Sequence, residues 1–250
     1  MADLDELRAQ VAKACNILGR LNLTKEPSGH VSARIPGEDL ILVKARGPGE
    51  SALSYVEPDD IITADFNGKK VGGREDLSSP NEVFIHTCLY QARPELASIL
   101  HIHPPTVVAF TIAGKPLLPV IGAYSPAALR LVLDGVPTFP RSVLINSEER
   151  GFALAKVLGD ASACLMRGHG ITAVGRSVEE ATLTAIHLND IAEINYRASL
   201  LGAVQPIPAE DIEEFRSMGG ARRPTSAEAP PRPSSEWRYY ERLLGGAPWQ

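Results

Sequence analysis

Apolar and polar positions alternate along this chain with two periods, one of about 3.6 residues and one of 2, and they divide it into helices and short strands. Leu4, Leu7, Val11, Cys15 and Leu18 recur at helical spacing, which predicts an amphipathic helix over about the first twenty residues. Val31, Ala33 and Ile35 alternate with polar neighbours and predict a strand entered through a turn at Pro27, Ser28 and Gly29. Residues 61–66 and 69–71 flank Asn67-Gly68, the dipeptide of a hairpin with a primed turn. A helix follows from near Pro80 and stops before Pro94, because the residue preceding a proline disfavours helical angles. Residues 97–102 read as a strand, 106–113 as a helix stopped by Gly114, and 117–121 as an apolar run of strand length before a helix through Leu133. Ser147 caps another helix ending at Gly159, residues 161–166 read as a buried strand, and the capping box Ser177-Val178-Glu179-Glu180 opens a long helix through Leu200.

Helix signals mixed with short strands, and no internal repeat, predict one α/β or α+β domain over residues 1–203. Beyond Gly202 the composition shifts. Pro206, Pro208, Pro224, Pro230, Pro231 and Pro233 predict a Pro-rich C-terminal arm over residues 204–250. It ends in an aromatic cluster, Trp237, Tyr239 and Tyr240, that is too apolar for a solvated tail. Two readings stand: an arm docked at a subunit interface or active site, or a terminal helix packed on its own domain.

Composition narrows the function classes. A chain of 250 residues with 44% hydrophobic content can build one sizeable core. A net charge of -5 gives no basic footprint, so nucleic acid is not an expected partner. The start lacks a basic segment followed by an apolar run, and the chain has no apolar stretch of the ~18 residues that a spanning helix needs. A cytoplasmic protein without a membrane partner is expected. Cys15, Cys88 and Cys164 are odd in number and widely spaced, which predicts reduced buried thiols rather than a disulfide framework.

The candidate chemistry lies in a few dispersed residues. In a strand, His101 and His103 present two imidazoles to one side. His169, between Gly168 and Gly170, ends a later apolar run in the same way. Three neutral imidazoles that converge make an open site for a borderline divalent metal. Glu82 stands in a first helical turn. It reads either as the far end of a capping box with Ser79 or as an acid/base group beside that metal. His86, one turn on, reads as an outer partner of the site or as a packed core histidine.

The ordered set Ser28-Gly29-His30-Val31-Ser32, Glu82-x-x-x-His86, His101-Ile102-His103 and Gly168-His169-Gly170 resembles the class II aldolase/adducin superfamily over about residues 5–200. The resemblance implies an αβα fold, with a central, mainly antiparallel sheet flanked by helices, assembled as a homotetramer. It further implies one divalent metal ion per subunit, held by His101, His103 and His169, without choosing among zinc, manganese, iron and cobalt. Members acting on phosphorylated sugars carry Asn where this chain has His30, and a Thr/Gly-rich phosphate loop where it has Val43 to Ser51. Those departures make the chain similar to the decarboxylase branch, whose members act on hydroxylated aromatic or heteroaromatic acids. On that reading a small aromatic acid is the substrate. Arg46 or Arg34 holds a carboxylate, since a guanidinium matches it with two parallel donors, and Ser79 and Gly29 line the substrate. Glu82 is the first proton donor, which requires a pKa raised by burial, and His30 and Tyr240 are the alternatives. Two further readings stay open: a metal-dependent aldolase or dehydratase on a small hydroxycarbonyl or sugar-derived substrate, and an adducin-like binding module without catalysis.

Overall fold

The computed structural model describes residues 4–219 and 233–245. Helix α1 (Leu4–Arg20) leads to strands β1 (His30–Arg34), β2 (Leu40–Lys44), β3 (Ile61–Asp65) and β4 (Lys70–Gly72), then to α2 (Val83–Ala92) and β5 (Ser98–Ile102). Helices α3 (Pro105–Ala113) and α4 (Pro126–Val132), strand β6 (Thr138–Phe139) and helix α5 (Glu148–Leu158) follow. Strands β7 (Ala163–Met166) and β8 (Gly170–Gly175) and helices α6 (Val178–Leu201), α7 (Ala209–Gly219) and α8 (Ser235–Leu244) complete the described chain. The strands form one sheet of eight, in the order β4-β3-β2-β1-β5-β8-β7-β6. Every pair is antiparallel except β6 with β7.

The sheet is covered on both faces, so the protein is an α/β fold of αβα layers as expected. On one face Val31, Ala33, Leu100, Ile102, Ile171 and Ala173 pack against the apolar sides of α1 and α6. On the other, Ile41, Val43, Ile62, Ile99 and Val174 meet Ile85, Leu89 and Tyr90 of α2 and Leu154 of α5. Each fully buried Leu or Ile on these faces contributes about 1.5–3 kcal/mol of transfer free energy.

Burial on both faces also explains what the sequence concealed. Leu40–Lys44 and Gly170–Gly175 are strands without polar alternation, because neither side faces water. Residues 117–121 have strand-like composition but no sheet partner; Leu117 and Ile121 are buried in an irregular connection. The hairpin between β3 and β4 uses a three-residue loop rather than a primed turn. Gly68 (φ 79°) donates its N–H to the carbonyl of Asp65 (2.9 Å), and the Asp65 carboxylate accepts from the N–H of Asn67 and of Lys69 (both 2.9 Å). That carboxylate satisfies the loop amides with Gly68 alone in the left-handed region.

The C-terminal segment is more ordered than its prolines suggest. Residues 209–219 are helical, and α8 lies on α1 and α6 with Trp237 only 5% exposed and Lys13 bonded to Glu241 (2.6 Å). The terminal aromatic helix therefore packs on its own domain. Pro224, Pro230 and Pro231 lie outside the described residues. No described helix is long and apolar enough to cross a membrane.

Candidate functional site

The antiparallel register places His30 of β1 directly opposite His101 of β5. His103 follows two residues on, at the end of that strand, and the chain reversal between β7 and β8 brings in His169. Gly170 permits this approach: a side chain there would press on the Ile102 carbonyl and stand 2.7 Å from His103 Cδ2. From α2 comes Glu82, which occupies the N-cap position with φ -103° and makes no side-chain cap. The capping-box reading is thus replaced, since Ser79 Oγ has no hydrogen-bond partner and the Glu82 carboxylate points elsewhere.

One ligand atom from each of Glu82, His101, His103 and His169 lies within 4.8 Å of the others. His101 is fully buried and its Nδ1–H donates to the Ile171 carbonyl (2.9 Å), which leaves a lone pair on Nε2. That atom is 2.9 Å from His103 Nε2 and 3.6 Å from Glu82 Oε2, and His169 Nε2 is 3.3 Å from the same carboxylate oxygen. Three ring nitrogens and one carboxylate oxygen around a common point fit a divalent cation of the zinc type, with room for further oxygen ligands.

Glu82 has its own support. Its Oε1 accepts from the Ile145 N–H at 2.7 Å, and its side chain is nearly buried. Burial pushes its pKa up, but the contact with His169, the neighbouring His101 and the Ile145 amide outweigh this and bring it down to about 2. The resting group is an anion. The expected raised value does not occur, because the carboxylate is surrounded by donors rather than by apolar side chains.

Glu82, His103 and His169 form one wall of a cavity of about 610 Å³, with His101 fully buried next to them, and Gly29, His30, Lys44, Arg46, Asn81 and Leu144 also contribute. Arg46 donates to Asn81 Oδ1 at the rim. The Lys44 side chain is 2% exposed, and its Nζ donates to the Pro27 carbonyl (2.9 Å) and to Glu50 Oε2 (3.1 Å). Lys44 went unnoticed in the sequence, although an ammonium closing the apolar run Leu40–Lys44 is itself a signal.

Three expected site residues outside the four-residue cluster do not line this cavity. Arg34 donates to the backbone carbonyls of Leu96 and Tyr90, and its guanidinium stacks over the rings of Phe66 (5.1 Å) and Tyr90 (4.9 Å). Tyr240 sits on α8 beside Tyr239, half-buried, and burial raises its pKa to about 12. Ser79 stands just behind Pro80 and Asn81, which do line the cavity. His86 is fully buried and bonds His30.

Burial holds His30 and His101 well below the usual imidazole value, lowers His86 to about 3, and lowers His103 as well. The unfolded chain therefore takes up more protons than the folded one below about pH 6.5. Stability is fully present above that pH and falls as pH drops, by up to about 1.4 kcal/mol per pH unit for each neutral ring. Urea unfolding of the metal-free protein between pH 7.5 and 5 should show the midpoint falling; a flat profile would contradict the buried neutral set.

Comparison with known proteins gives the family of the chain. The family described as Class II Aldolase and Adducin N-terminal domain matches residues 9–196. A 3,4-dihydroxyphthalate decarboxylase of Arthrobacter keyseri is 37% identical over 218 residues, covering 86% of this chain and 88% of the relative. The protein of the same name from Terrabacter sp. (strain DBF63) is 34% identical, covering 85% and 90%. Among solved structures, an aldolase II superfamily protein from Pseudomonas syringae superposes with a TM-score of 0.82 at 22% identity, covering 98% of this chain and 94% of that one. These matches, over most of the chain, show that the chain belongs to the class II aldolase/adducin family.

Proposed function

We propose that this chain is a metal-dependent decarboxylase of an ortho-dihydroxylated aromatic acid, of the 3,4-dihydroxyphthalate type. The observation that carries the reading is that one cavity joins the Glu82, His101, His103 and His169 cluster to the cations Lys44 and Arg46. The carboxy-lyase class is supported by relatives that are 37% and 34% identical to this chain over the aligned residues. His101, His103 and His169 would hold the metal, of which zinc, manganese, iron and cobalt are all candidates. When bound, it supplies a Lewis acid that carries negative charge developing on a substrate oxygen.

The chain's own groups account for the remaining steps. A phthalate-type acid has two carboxylates, one that leaves and one that stays, and Arg46 with the buried Lys44 supplies charge-assisted donors for the one that stays. As an anion, Glu82 takes the proton of the ring hydroxyl at Oε2 and passes it to the ring carbon that bears the leaving carboxylate. The carbon–carbon bond then breaks, carbon dioxide departs, and the electron pair restores the aromatic ring. The residues at 43–51 put two cations where a phosphate loop is absent, which favours this reading over cleavage of a sugar phosphate. The intact four-residue cluster favours it over a binding module. A cytoplasmic homotetramer fits the same reading, supported by exposed apolar side chains such as Ile112, Tyr124 and Leu201. The division into a catalytic domain over 1–203 and an arm over 204–250 belongs to this proposal as well.

The test is elemental analysis of the purified protein, coupled to carbon dioxide release from 3,4-dihydroxyphthalate with and without chelator. Stoichiometric metal with chelator-sensitive release is expected. Stoichiometric metal without release from any ortho-dihydroxylated acid would overturn the decarboxylase in favour of aldol or dehydratase chemistry.

A further inference from the structure

Behind the cavity runs a set of buried polar contacts that the chemistry above does not use. His30 Nδ1 is 2.6 Å from His86 Nε2, and His86 Nδ1 is 2.7 Å from Ser32 Oγ. Ser32 Oγ in turn lies 2.9 Å from the Tyr90 hydroxyl and 3.2 Å from the Ile99 carbonyl. All four side chains are less than a tenth exposed, and the Tyr90 hydroxyl also lies 3.5 Å from the Ala97 carbonyl, so water has little part in these contacts.

Counting protons gives this chain two directions, of which one uses every contact. A neutral imidazole has one N–H and one lone pair, and a serine hydroxyl has one hydrogen and accepts two bonds. If Ser32 donated to His86 Nδ1, then His86 Nε2–H would donate to His30 Nδ1, and the Ile99 carbonyl would lose its donor from Ser32. In the opposite direction every contact is used. Ser32 donates to the Ile99 carbonyl and accepts from the Tyr90 hydroxyl and from His86 Nδ1–H. His86 Nε2 then accepts from His30 Nδ1–H, and His30 keeps its lone pair on Nε2. The Ile99 carbonyl, already opposite Ser32 in the ladder of β1 and β5, can only accept, so the direction that adds a bond from Ser32 Oγ is the one with the most hydrogen bonds.

We infer that His30 presents a bare Nε2 to the cavity and accepts a hydrogen bond from a substrate hydroxyl, with His86 as the positioning residue that fixes this tautomer. His30 is then a reader of the substrate rather than its proton donor. Together with the Glu82 carboxylate it gives the cavity two acceptors, which suits an aromatic ring with two neighbouring hydroxyls and disfavours an ether at the same place. The inference rests on the decarboxylase reading for the identity of the hydroxylated ligand, while the tautomer stands independently of it.

The experiment is nitrogen NMR of the full-length protein labelled with 15N-histidine and loaded with zinc, with His30 assigned from the signals lost in His30→Gln. A protonated Nδ1 and a bare Nε2 are expected for His30; a proton on Nε2 overturns the inference. Kinetics on 3,4-dihydroxyphthalate provide the second arm. His86→Leu removes the acceptor for His30 Nδ1–H and should lower kcat/KM about 10-fold, the size of one misplaced hydrogen bond. His86→Gln, whose amide oxygen can take the place of Nε2, should recover most of that loss. Equal rates for the Leu and Gln variants would overturn the positioning role. The NMR result needs no substrate, so absence of carbon dioxide release from the unmutated protein would count against the decarboxylase alone.

Discussion

The His101→Ala protein should leave purification without its metal and release no measurable carbon dioxide. His101 is the centre of the cluster: its Nε2 faces both His103 and Glu82, and the Ile171 carbonyl holds the ring in the tautomer that a cation requires. Losing merely an outer partner of a ligating histidine costs about 10- to 100-fold in affinity or activity, so losing the ligand itself should exceed about 100-fold. The substitution also empties a fully buried position, and the fold must be checked by circular dichroism before the loss is interpreted. A folded Ala variant that retained stoichiometric metal would remove His101 from the ligand set.

Glu82→Gln probes the proton rather than the metal. The amide keeps an oxygen for the Ile145 N–H and nearly the same volume, so the start of α2 and the Leu144–Ile145 segment should stay in place. What the amide cannot do is take a proton and return it. A positioned acid/base group contributes about 10²- to 10⁴-fold, and kcat should fall by that amount with the three imidazoles still holding metal. Metal content within error of the unmutated protein, together with the kcat loss, separates this outcome from that of His101→Ala. Unchanged kcat would end the assignment.

How much of this was legible before the fold was known follows from sequence distance. His101 and His103 announce themselves because a period of 2 is a local property, and His169 because its two glycines mark a tight reversal. The pattern S-x-x-E means two different things at Ser79 and at Ser177. At Ser177 the hydroxyl accepts from the Glu180 N–H (3.0 Å) and caps α6. At Ser79 no such bond forms, because the Ile145 amide and the histidines, both from distant parts of the chain, claim the Glu82 carboxylate instead. Nothing local distinguishes the two. Likewise Ser32, His86 and Tyr90 become neighbours only once β1 pairs with β5 and α2 covers them. Arg34 and Arg46 look alike in the sequence, yet strand pairing aims one at the Tyr90 ring and leaves the other at the cavity rim.

The three imidazoles are anchored unequally, and that bears on how fast an ion could come and go. His101 belongs to a strand laddered on both sides within the sheet, which moves only when the sheet opens, and His103 follows directly after its last paired residue, Ile102. His169 rides on a reversal held by its own N–H to the Met166 carbonyl (3.1 Å), by the Arg167 N–H to the Phe139 carbonyl (3.0 Å) and by two hydroxyl contacts, the Gly168 N–H to Thr111 Oγ (2.9 Å) and Ser142 Oγ to the Arg167 carbonyl (2.6 Å). Loosening this turn would swing His169 away and leave His101 and His103 in place. Exchange kinetics would then track the loosening of this single turn, and Thr111 and Ser142, which touch neither metal nor substrate, would set the residence time of the ion.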